Sequence, residues 1–135
     1  MYSRQIFGAL ILTFTFAQAQ SAPSVASAMI SKLEELQKSV VLEKNIPQRI
    51  KLFEKSLSEV KKIKKDRQAQ ITEDEKMIVD TMLAGLDLIP TKDFDRKKCD
   101  QYKHKLKFEL EPTAETSPVK AGVADAYETL EALCK

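Results

Sequence analysis

From Val25 onward the chain repeats one pattern, apolar side chains mostly three or four residues apart, which line one face of a helix and do not suit a strand. Ala26, Met29, Leu33, Leu36 and Val40 form the first stripe, widened by Ile30 and Val41. Ile50, Phe53, Leu57, Val60 and Ile63 form the second, and Met77, Ile78, Met82, Leu86 and Ile89 the third. Phe94, Cys99, Tyr102, Leu106 and Leu110 make a fourth; Val119, Val123, Tyr127, Leu130 and Cys134 make a fifth. Only three glycines occur in 135 residues, so few turns are provided. The pattern predicts an all-α protein, a four- or five-helix antiparallel bundle.

The residues between the stripes set the helix ends. The spacing predicts a first helix over Val25 to Lys44, stopped at Asn45-Ile46-Pro47, where Asn tolerates the left-handed C-terminal conformation and Pro suits the first turn of the next helix. The second helix is expected to end near Gln68. Thr72 and Glu75 form a capping box for the third, which Pro90 ends. Gly85 lies inside the third stripe at a cost of about 1 kcal/mol relative to Ala, which close helix packing would offset. A fourth helix is expected from about Asp93 to Leu110. Residues 111–117, with Pro112, read as a loop before a last helix opened by Ser117-Pro118. Connections this short make successive helices antiparallel. A hydrophobic content of 43% supports one modest core, so residues 20–135 are expected to form a single helical domain with 20–24 as a flexible lead-in.

Residues 1–19 have the composition of an export signal. Arg4 precedes the apolar run from Ile6 to Phe16, and Ala17-Gln18-Ala19 supplies a small-x-small cleavage site. The run is short of the roughly 20 residues that span a bilayer. The expectation is a periplasmic or secreted chain, cleaved after Ala19, with no transmembrane segment in the mature part. Export would place Cys99 and Cys134, the only two cysteines, in an oxidising compartment. They fall on the inner faces of the last two helices, near ends that antiparallel packing joins, so a disulfide bridging the C-terminal hairpin is expected. Their separation lacks the C-x-x-C spacing of a redox pair.

Charge narrows the functional classes. The formal net charge is +2, and removal of Arg4 with the leader leaves +1, so no global field would recruit nucleic acid. Local clusters are the candidate surface for an anionic partner: Lys61, Lys62, Lys64, Lys65 and Arg67, then Arg96, Lys97, Lys103 and Lys107. Neither cluster interleaves the aromatics that stack on bases. Lysine at the end of the second helix also has a local cause, the negative end of the helix dipole.

No catalytic constellation emerges. His104 is the only histidine and is placed on the polar face between Lys103 and Lys105, which removes an internal base for a nucleophilic triad. A helical bundle with a Met in its first helix is similar in architecture to the cytochrome b562 family, whose haem is held by that Met and a C-terminal His. Met29 would be the Met, but the last helix offers Tyr127 and Cys134 and no His, so Met29 is expected in the core. Asp93, Asp95 and Asp100 lack the Gly turn and terminal Glu of a calcium loop. Glu34, Glu35, Glu54 and Glu59 lack the Glu-x-x-His pairs of di-iron bundles. No cofactor or metal is expected. The sequence therefore points to a small exported non-enzymatic protein that contacts another protein or an anionic envelope component. The alternative is a bundle that carries an apolar small molecule or haem.

Overall fold

Ser24 opens the first helix by accepting a hydrogen bond from the Ser27 N–H, so α1 runs Val25–Leu42. Asn45 caps α2 (Ile46–Asp66) through Gln48 N–H, with Pro47 in the first turn. Thr72 caps α3 (Glu73–Asp87) through Glu75 N–H. After a 3-10 turn at Arg96–Lys98 come α4 (Cys99–Leu110) and α5 (Ser117–Cys134). The structure is a computed structural model that describes residues 23–110 and 117–135, with side chains omitted at 117–121. The expected leader and most of the 111–117 loop lie outside these residues. The described residues form five α-helices joined by short turns and connections, and include no strand.

Pairs of side chains fix the topology. Lys32 meets Glu59 at 3.4 Å, Lys61 meets Asp87 at 2.9 Å and Lys64 meets Asp80 at 3.0 Å, so α2 runs antiparallel to both α1 and α3. The Cys99–Cys134 disulfide and the Tyr127 hydroxyl, which donates to Lys103 O, do the same for α4 and α5. Alternation makes α1, α3 and α5 parallel. Ala26 N–H at the start of α1 accordingly donates to Glu75 Oε1 at the start of α3 over 2.8 Å. Glu75 thus caps a neighbouring helix, and that bond holds its carboxyl below the usual carboxylate range.

The last helix is the centre of the packing. It lies most extensively against α3, then against α1, and less against α4, its neighbour in sequence. Two glycines explain the approach to α3. A Cβ on Gly85 would lie 2.5 Å from Ala126 Cβ, and one on Gly122 would lie 2.8 Å from Ile78 O. Neither position has room for a side chain. Gly85 interrupts the third stripe because α5 passes over it. The core is then filled by Met29, Leu33, Phe53, Met82, Leu86, Leu106, Leu130 and Leu133.

Parallel α1 and α5 bring two helix C-termini, each the negative end of a dipole, to one end of the bundle. Neither last turn contains a basic residue. Arg49 of α2 supplies the charge from outside. Buried there, its guanidinium donates to Glu43 O, at the cap of α1, and to Leu133 O in the last turn of α5. Arg96 adds a second clamp on α5, donating to the Cys134 and Lys135 carbonyls.

Several details differ from the sequence reading. Asn45 is the N-cap of α2 rather than a left-handed terminator, and α1 stops at Leu42. Met77 and Val41 are exposed, at 49% and 46%, whereas Val79 and Leu83 are buried. Val79, Met82, Leu83 and Leu86 form the arc that faces both α5 and α1, and Met77 falls more than a third of a turn from Met82 on the wheel. The fourth helix begins at Cys99, not Asp93, because Asp93 takes a left-handed φ of 55° and Asp95 caps the 3-10 turn through Lys97 N–H.

Candidate functional site

Helix α2 divides its lysines between two directions. Lys61 and Lys64 turn toward α3, where Asp87 and Asp80 pair with them. Lys62 and Lys65 point outward and are exposed. Lys51 and Lys55, one and two turns from the helix start, continue the same line. At 100° per residue, Lys51, Lys55, Lys62 and Lys65 fall within an arc of about 80° and extend over about 21 Å. Ser58 fills the gap between them. None of the four lysines has an ion pair among the described residues. By contrast Lys32, between Glu59 and Glu35, has its pKa raised, first by its hydrogen bond to Glu59.

The row is narrow. Glu54 lies on one side of it; Glu59 and Asp66 lie on the other, about 60 to 80° from its axis. Beyond Pro47, α2 exposes no apolar residue, because Ile50, Phe53 and Val60 are buried and Leu52, Leu57 and Ile63 pack against the core. The row is thus a strip of positive charge bounded by carboxylates on a rigid helix. All four lysines are exposed and open to an anion.

The other expected basic residues are dispersed. Arg67 donates to Pro23 O at 2.8 Å and to Gln70 Oε1 at 2.9 Å, tying the start of α1 to the chain after α2. Arg96 is held at the opposite end by the α5 carbonyls. The two sequence clusters therefore do not form one surface. Lys97 is exposed beside Arg96, Lys103 is half-buried and gives its carbonyl to Tyr127, and Lys107 is exposed on α4. The sequence reading missed Lys51 and Lys55 because they are isolated in sequence, although their spacing to Lys62 and Lys65 was present as a helical signal.

Arg96 and Lys97 also border an open groove of about 880 Å³ between the start of α2 and the segment before α4. Ile46, Pro47, Ile50 and Phe94 line its apolar part. Phe94 is braced by Tyr102, ring centroids 5.3 Å apart, and the Tyr102 hydroxyl accepts from Asp95 N–H. His104 is exposed, Met29 is in the core, and no group of three or more potential metal ligands converges among the described residues.

One carboxyl outside these features is displaced. Asp125 of α5 is half-buried toward α1, and desolvation, with smaller contributions from Glu128 and Glu34, raises its pKa from 3.8 to about 6. A raised carboxyl pKa means that the folded state holds the proton more tightly than the unfolded chain. The associated stability is present below pH 4 and is lost as pH rises through 6. Replacing Asp125 with Asn should therefore stabilise the protein at pH 7 by about 1 kcal/mol, after allowance for solvent screening, and give no gain at pH 4. Urea midpoints of both proteins across that interval measure the difference.

Comparison of the chain with protein-family models, with curated proteins and with solved structures finds no match in any of the three.

Proposed function

We propose that this is a small exported, non-enzymatic protein whose outer lysine face contacts an anionic component of the envelope or extracellular space. The observation that carries the reading is the row on α2: four lysines, exposed and without ion pairs among the described residues, aligned on a helix whose apolar side is wholly committed to the core. Only Lys65 of the four lies in the last turn of α2, where the helix dipole favours positive charge. The disulfide supports export, since such bonds persist in oxidising compartments. Among the described residues no helix is long and apolar enough to cross a membrane. The leader at residues 1–19 is the part of the proposal that depends on sequence alone.

Mild chemical crosslinking in the native envelope or culture medium, followed by capture of the protein, is the direct test. Recovery with an anionic partner attached is expected; recovery of the bare chain at every concentration would contradict it. A second reading is favoured by the groove at Ile46, Ile50 and Phe94, whose volume suits a small apolar ligand. That carrier would hold its cargo at the surface, and Ile46→Glu, at the half-buried wall of the groove, would abolish uptake of an apolar fluorescent probe without lowering the melting temperature.

A further inference from the structure

We infer that the row Lys51, Lys55, Lys62 and Lys65 is a docking strip for a linear acidic polysaccharide lying along α2. The inference rests on the contact reading above and names the class of its partner. Two features of the row select a linear anion. It is long and narrow, about 21 Å by an 80° arc. Its edges carry Glu54 on one side and Asp66 on the other, both exposed. A flat anionic surface pressed against α2 would bring these carboxylates against its own charge, whereas a chain running along the axis meets only ammonium groups.

The chemistry of the outer face separates the alternatives further. Binding at a membrane surface draws on apolar side chains that enter the acyl boundary, and α2 exposes none beyond Pro47. Single-stranded nucleic acid is held by aromatic platforms, and the outer face of α2 has no aromatic residue. A polysaccharide bearing sulfate or carboxylate groups needs neither. Lysine suits such a chain because an ammonium group acts as a point charge on a flexible stem, tolerant of irregular anion spacing. Release of counterions from the polyanion would supply much of the affinity and make it steeply salt-dependent.

The test uses the full chain and an end-labelled, heparin-derived octasaccharide followed by fluorescence anisotropy, with vesicles containing phosphatidylglycerol as the second probe. Two fourfold lysine-to-glutamine variants carry equal charge changes. One replaces Lys51, Lys55, Lys62 and Lys65; the other replaces Lys38, Lys92, Lys98 and Lys105, all exposed elsewhere. The expected result at about 50 mM salt is saturable oligosaccharide binding, weakened at least about tenfold in the row variant and less than about threefold in the control. Unchanged melting temperatures would show that both variants fold. Equal loss in the two variants would overturn the docking strip. Binding to vesicles but not to the oligosaccharide would overturn the polysaccharide and leave the anionic-contact reading standing. Binding to neither probe would remove both.

Discussion

Replacing Cys99 and Cys134 together by alanine is expected to lower the unfolding free energy by about 3 to 4 kcal/mol, because the bridge closes a loop with a sequence separation of 35 in the unfolded chain. That is a large part of the stability of a domain this size. The loss should also be uneven. Helix α4 buries only Cys99, Leu106 and Leu110, and it exposes Phe108 at 72%. The start of α4 is otherwise tied to α5 by hydrogen bonds, from Arg96 to the Cys134 and Lys135 carbonyls and from the Tyr127 hydroxyl to Lys103 O. Amide exchange should therefore accelerate over residues 99–110 before it does in α1, α3 and α5. Denaturant titration gives the total, and exchange followed residue by residue gives the distribution. A uniform acceleration across all helices would show that α4 is held by the core rather than by the bridge.

The second large effect is expected at Arg49. Its guanidinium is the shared partner of carbonyls from the ends of α1 and α5, and it lies buried at 4% exposure. Removing it leaves those carbonyls without their donor at the place where two parallel dipoles end. Arg49→Ala should cost about 3 kcal/mol, enough to lower the melting temperature by roughly 10 °C. Arg49→Lys should restore part of the loss, since one ammonium group can reach one carbonyl more easily than two. If alanine and lysine variants were equally destabilised, packing of the long side chain rather than its hydrogen bonds would be the cause. Calorimetric melting of the three proteins separates these cases.

Periodicity made the helices legible because each stripe reports a face that must be buried. All five residues of the first stripe are buried, as are Ile50, Phe53 and Val60 of the second. Cap chemistry was equally local, and Thr72 acts as its residue type implies. What the sequence did not show was which helices meet across the bundle. Glu75 was read as half of a capping box, and its carboxylate does meet the Thr72 backbone, but its larger interaction is with Ala26 in another helix. Arg49 drew no reading from the sequence, because nothing local marks it as the clamp of two distant C-termini. Met77 was misassigned for the same reason: the buried arc of α3 is set by α5 and α1, not by the strongest run of apolar residues.

The candidate surface was legible in kind but not in extent. A dense run of lysines draws attention, but Lys61 and Lys64 within it are paired with acids of α3. Lys51 and Lys55 belong to the outward row although they are separated from the run by Leu57 and Val60. Pairing depends on the neighbouring helix and cannot be read from α2 alone. The resulting surface also explains how a chain of nearly neutral net charge can still present a concentrated positive strip.

The central claim, an exported bundle clamped by one disulfide, is tested most directly by mass spectrometry of the native protein recovered from outside the cytoplasm, before and after reduction. The account predicts a chain beginning at Gln20 and a linked pair of peptides containing Cys99 and Cys134 that separate on reduction. A chain that retains residues 1–19, with both thiols open to alkylation in the folded state, would contradict it.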